Sequence, residues 1–352
     1  MRLLRVQLHH IGPFEDTTLD LTSPEPSETP NPRAATVLFG ADGTGKTSLL
    51  AALAVTRPGH ALPPLALPGA ARTPGWVAAD WLLGDDDPSR PHALTVASPN
   101  AVLEGETPES AMLRRREQAI FDRRAQQEGG HVFLSFSGAR WFSRVPNLLT
   151  GPDRSLLRYD VRQPGISFDD PTRADLTRET KQVLSYASIA SALGGGRAEF
   201  AHLTSFEAAL REVVDVVLQP FGLLHAGVSP TTLEPQFRSA RGGLVPFDAL
   251  PRSARHLIAF VVLPLRALFA GYPGADAPRE REGVVAIDDA ESQLDPALLR
   301  DLVGLLRLAL PGVQWIFSTA STQLALACGP SEIVALRRTE GKHVELGEGL
   351  FH

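Results

Sequence analysis

Residues 40–47 read GADGTGKT. They fit G-x-x-x-x-G-K-[ST], a spacing in which glycines let successive backbone N–H groups turn toward phosphate, a lysine reaches the β- and γ-phosphates, and a hydroxyl ligates magnesium. The surroundings suit a site. ATVLF (35–39) has the short apolar character of a buried strand, and TSLLAALAV (47–55) reads as a helix whose N-terminus adds its dipole. The bland alternative is a Gly-rich turn leading into a helix. On the phosphate reading, Gly40, Ala41, Asp42, Gly43, Thr44, Gly45, Lys46, Thr47 and Ser48 cradle ATP, with Lys46 on its phosphates and Thr47 on Mg2+.

A second stretch, GVVAIDDAESQLDP (283–296), places Asp288 and Asp289 directly after an apolar run. An unpartnered carboxylate is costly where strands are buried on both faces. A phosphate-loop protein needs an acidic residue at the end of a neighbouring strand to hold magnesium, and Asp288 supplies it. Asp289 then stands where a general base could polarise water. Either aspartate could instead cap the helix that follows. Glu291 reads two ways, as an assistant to Asp289 or as a surface or interface residue.

The 352 residues can bury a large core, as one big α/β domain or two smaller ones. Hydrophobic content of 43% and charge of 21% exclude a wholly disordered chain. Cys328 is the only cysteine, so neither an internal disulfide nor a Cys-based zinc site is available. MRLLRVQLHHIGPF (1–14) carries charge and histidine where a signal peptide needs an apolar core, and the longest apolar run, LIAFVVLPLRALFA (257–270), is too short to span a bilayer. These features predict a cytoplasmic protein with no membrane partner. A net charge of −6 opposes attraction of nucleic acid by the whole surface. Lysine occurs only at 46, 181 and 342, which makes Lys46 conspicuous.

Alternation in LLRVQLHHIGPFEDTTLDL predicts two paired strands around a Gly-Pro break. Loops are predicted at 22–33 and 57–75. WVAADWLL and HALTVAS read as strands joined by the turn GDDDPSRP, AMLRRREQAIFDRRAQQ (111–127) as a helix and HVFLSF as a strand. From 172 to 223 the pattern is helical, broken at GGGR (194–197), without sustained heptads. A helix is predicted over about 253–269, and the C-terminal part reads strand, helix, strand and two final strands.

Together these residues resemble the RecF, SMC and OLD-type ATPases, whose heads are ABC-type nucleotide-binding units. The N-terminal strand pair resembles that family's opening hairpin, and IDDAESQLDP is similar to the RecF form of the metal-side strand and the D-loop, here Ser292 to Asp295. The resemblance covers roughly 1–55 and 244–345. It implies an α/β P-loop NTPase with a mixed sheet, N-terminal antiparallel strands and a helical lobe, divided at 1–164, 165–250 and 251–352. It also implies Mg2+-dependent ATP hydrolysis, an ATP-dependent homodimer, and a DNA or effector-protein partner in repair, chromosome maintenance or phage defence. An ATP-binding regulatory subunit with little hydrolysis is the second reading, and a P-loop small-molecule kinase a third.

The chain departs from the family at LPRSARH (250–256), the place of the signature loop. In one reading Arg252 or Arg255 contacts the γ-phosphate of a second protomer while Ser253 caps the helix. In the other the loop has lost that task and the arginines are solvated. Where many members carry a switch histidine, this chain has Ala320 or Ser321, which implies slow turnover. Arg140 resembles an arginine of some OLD-like ATPases, or is a plain surface arginine near Trp141. Arg114, Arg115, Arg116, Arg123 and Arg124 form a DNA-binding face or, with Glu117 and Asp122 among them, an internally paired one. His9 and His10, adjacent on a strand and so facing opposite sides, read as structural.

Overall fold

The computed structural model describes residues 1–23, 32–57, 75–83, 93–124, 131–147, 175–339 and 344–350. The loops expected at 22–33 and 57–75, the GDDDPSRP turn and the 164/165 boundary lie largely or wholly outside them.

The N-terminal alternation forms β1 (Arg2–Ile11) and β2 (Phe14–Asp20), an antiparallel pair turned at Gly12 and Pro13. β3 (Ala35–Gly40) leads through the GADGTGKT loop into α1 (Lys46–Val55). β4 (Trp76–Leu82), β5 (Leu94–Ala97), α2 (Pro108–Arg124) and β6 (Phe133–Phe136) follow, then α3 (Thr177–Gly194) and α4 (Ala201–Leu218). Next come β7 (Leu223–Val228), β8 (Pro235–Ser239), β9 (Leu244–Pro246) and α5 (Arg252–Gly271). The chain continues through β10 (Gly283–Ile287), α6 (Leu302–Ala309), β11 (Val313–Thr319), α7 (Thr322–Leu326), β12 (Ile333–Arg338) and β13 (Val344–Glu348).

The central sheet has the order β13-β12-β3-β11-β10-β6. All its pairs are parallel except the β12–β13 edge, so the sheet is mixed. Successive side chains of a strand point to opposite faces, and two cores result. Val284, Ala286, Leu38 and Ile316 pack with α1 and the inner face of the antiparallel sheet β2-β1-β4-β5. Val285, Ile287, Val37 and Phe317 pack with α3, α4, α5 and α6. Every residue of β10 is buried for this reason.

At 20 residues, α5 is the one helix among the described residues long and apolar enough to cross a membrane, yet 94% of its apolar window is buried within the protein. It is a core helix, and Arg266 on it donates to Glu179 of α3 at 2.6 Å.

The stretch expected to be a helical lobe carries α3 and α4 but also the antiparallel sheet β7-β8-β9. Its strands are short and Gly/Pro-flanked, β7 and β8 are only partly buried and no residue of β9 is, so no apolar run announces them. His9 and His10 also differ from expectation. His10 has φ 50, which brings the two rings to 4.1 Å between centroids instead of onto opposite faces.

Candidate functional site

Two glycines of the GADGTGKT loop, Gly43 and Gly45, hold φ of 75 and 89, the left-handed region that glycine adopts without steric cost. Gly45 has a further constraint: a Cβ there would collide with Pro13 and Phe14. The β1–β2 turn therefore rests directly on the loop. Gly40 is equally confined, since a Cβ would lie 2.7 Å from Thr44 Oγ1 and 2.8 Å from the Leu336 carbonyl.

Lys46 is buried, and its Nζ donates to the carbonyls of Gly40 at 2.8 Å and Ala41 at 3.0 Å. Its charge thus sits over the start of the loop. Thr44 Oγ1 donates to the Ala41 carbonyl at 2.8 Å, while Ala41, Asp42 and Gly43 are exposed at the rim and Ser48 is half-buried. Arg338, at the end of β12, donates to the Gly43 carbonyl at 2.6 Å.

Across the sheet, β10 ends at Ile287, and Asp288, directly after it, is buried. Thr47 Oγ1, on an exposed residue, donates to Asp288 Oδ2 at 2.9 Å and Oδ1 at 3.2 Å. Ser318 Oγ, at the end of β11, donates to Asp288 Oδ1 at 2.5 Å and accepts from the Asp289 N–H at 2.8 Å. Neither aspartate caps a helix here. Ser318 went unremarked in the sequence. Its only signal is its place on the last core strand, ahead of the switch position.

Asp289 is half-buried with φ 43, outside the comfortable range for a residue with a side chain. Burial, then Asp288 and Glu291, pushes its carboxyl above the usual carboxylate range, while Lys46 and Arg140 pull it back. Glu291 accepts from Thr319 Oγ1 at 2.6 Å and from the Ala320 N–H at 2.8 Å. Its two oxygens thus tie it to the end of β11 and the residue that follows. Ser321 caps α7, accepting from the Leu324 N–H at 3.4 Å.

Arg140 is no surface residue. It is 1% exposed and lies over the Phe260 ring at 5.0 Å. Its Nη1 donates to the carbonyls of Asp288 at 2.6 Å and Ser137 at 3.1 Å, and Nη2 to those of Asp289 at 2.9 Å, Ser292 at 3.0 Å and Ala290 at 3.3 Å. Burial lowers it to about 10, so it remains a cation at neutral pH.

The signature-position residues engage the same chain. Arg252 Nη1 donates to Gln293 Oε1 at 2.8 Å, and Ser253 Oγ accepts from the Asp295 N–H at 2.9 Å. Ser253 does not cap α5, whose N-cap is Pro251. Arg255 stacks on Phe142 at 5.4 Å. On α2, Arg114 points inward to Glu106 through two bonds of 2.7 and 3.0 Å, so the arginines do not share one outward face. Arg115, Arg116 and Arg123 are exposed, and the Arg124 side chain lies outside the described residues.

Magnesium takes few protein ligands and keeps waters and phosphates for the rest. The Thr47 hydroxyl beside one Asp288 carboxylate fits that preference. Among the described residues no group of three or more His, Cys, Asp or Glu side chains could cage a metal by itself.

The structure superposes over nearly its whole length on solved SMC heads. The SMC head domain from Thermotoga maritima matches with a TM-score of 0.50 and 12% identity, covering 99% of this chain and 100% of that one. This chain has the SMC head fold. An SMC head bound to the C-winged helix domain of ScpA matches at 0.53 and 13%, with 100% and 99% covered. A Pyrococcus furiosus SMC head with an extended coiled coil, bound to the C-terminal domain of ScpA, matches at 0.50 and 13%, covering 98% and 96%. No protein-family model matches the sequence, and no curated protein matches it. The SMC head fold here spans both the GADGTGKT loop and the Asp288 strand, with α3 and α4 joined by a short turn at Gly195 and Gly196 and no long coiled coil between them.

Proposed function

We propose that the protein binds and hydrolyses Mg2+·ATP and uses the nucleotide state to switch a partner. The observation that carries this is the convergence of Thr47 on Asp288, residues 241 positions apart that meet within 2.9 Å at the mouth of the glycine-rich loop. The loop's backbone N–H groups and the α1 dipole would hold the phosphates, and Lys46 would leave the Gly40 and Ala41 carbonyls for the β- and γ-oxygens. Thr47 and Asp288 would hold magnesium, which neutralises charge on the phosphoryl oxygens when bound. Asp289 would orient water and accept its proton, a task its raised pKa favours.

A second reading, of an ATP-binding regulatory subunit with slow hydrolysis, draws support from two features. Arg252 and Ser253 hold Gln293 and Asp295 of their own chain. Ala320 stands at the switch position and offers no side-chain donor. The partner would be a second copy of this chain, DNA or an effector protein, in a cytoplasmic setting. ScpA domains on two of the neighbours support the protein-partner option.

Mass in solution with ATP, Mg2+ and Asp289→Asn tests the switch. A nucleotide-trapped dimer of the variant, with wild type returning to monomer as ATP is consumed, is the expected result. Monomers throughout, with or without DNA, count against an ATP-driven dimer.

A further inference from the structure

The segment after β6, Ser137 to Arg140, is absorbed by no role assigned above. We propose that it is the positioning element of the hydrolytic site: Arg140 gathers the carbonyls of the 288–292 turn, and Gly138 leaves the space in which the Asp289 carboxylate stands. This rests on the ATPase reading of that site.

Four carbonyl oxygens of one short turn, those of Asp288, Asp289, Ala290 and Ser292, converge on a single guanidinium. Carbonyl dipoles aimed at one point repel one another, and a buried cation with donors in a planar fork reverses that repulsion. The arginine thereby offsets the strain of the left-handed φ of Asp289, a region residues with a side chain rarely adopt. The other side of the turn is anchored by the Asp289 and Ala290 N–H groups on Ser318 Oγ and its carbonyl, both at 2.8 Å. Gly138 faces the carboxylate itself. A Cβ there would lie 2.6 Å from Asp289 Oδ2 and 3.2 Å from its Cβ. Gly138 is outside the left-handed region, so its lack of a side chain serves space and not backbone freedom.

Arg140 touches neither carboxylate through a hydrogen bond. Its effect runs through backbone placement, where displacement by about 1 Å can cost 10²-fold in rate. Lysine keeps the charge but cannot span four carbonyls from one ammonium.

Two variants test this, Arg140→Lys and Gly138→Ala, the second of which removes no hydrogen bond. Each is compared with wild type for ATP turnover and for affinity toward a fluorescent ATP analogue. The expected result is a fall in kcat of about 10²-fold in both variants, with affinity in EDTA within about threefold of wild type. A folded variant with wild-type kcat, or one losing affinity and turnover in parallel, overturns the proposal. Wild type that binds but does not hydrolyse overturns the ATPase reading instead. In that case Mg2+ titration of analogue binding decides: a severalfold higher midpoint in Arg140→Lys supports the positioning role of Arg140 on Asp288, and an unchanged midpoint contradicts it.

Discussion

Gly45 joins two demands that one residue type can meet: a left-handed backbone at the start of α1 and no Cβ against Pro13 and Phe14. Gly45→Ala must therefore either shift the β1–β2 turn or distort the loop. The expected outcome is at least a tenfold loss of affinity for a fluorescent ATP analogue; wild-type affinity would show that the turn yields freely. Lys46, Thr47 and Asp288 were legible in the sequence because each belongs to a contiguous pattern whose chemistry is local. Ser318 was not, and Arg140 was marked only by a resemblance that did not give its contacts. Their contacts with the 288–292 turn span 30 and about 150 positions, and nothing in IFST or SGAR alone announces convergence on that turn. Glu291 was legible as a charge beside Asp289, but its bonds to Thr319 and the Ala320 N–H were not.

At the scale of elements, α5 is the member on which both the core and the site lean. Phe260 is fully buried, packs edge-on against Phe136 at 5.1 Å and floors Arg140. Phe260→Ala should cost about 3–5 kcal/mol, read as a lower urea midpoint at unchanged slope. A cost under about 1 kcal/mol would mean that the core closes around the gap. The parallel strands were readable because burial on both faces leaves uninterrupted apolar runs, as in ATVLF and VVAI. β7, β8 and β9 were not readable because their periodicity is short and half-exposed. LPRSARH showed a departure from the signature pattern, but spacing could not show that Arg252 and Ser253 bond Gln293 and Asp295 of the same chain.

Over the whole molecule, two buried imidazoles set a pH dependence. Burial lowers His225 and His256 from 6.5 to about 4, so each stays neutral in the fold where the unfolded chain protonates it. Stability should fall as pH drops from about 6.5 to about 4 and the contribution should level off below that, by on the order of 3 kcal/mol per histidine. A melting temperature that does not decline across this window in wild type, or whose decline persists in His225→Gln/His256→Gln, would contradict the assignment.

The SMC head fold brings the glycine-rich loop and the Asp288 strand to one end of the central sheet, with β11 between β3 and β10 carrying Ser318 to Asp288. Steady-state phosphate release from Mg2+·ATP tests the central claim most directly. Slow turnover by wild type, abolished in Lys46→Ala and reduced about 10²- to 10³-fold in Asp289→Asn, is the predicted result. Phosphate release that is unchanged in both variants would contradict it.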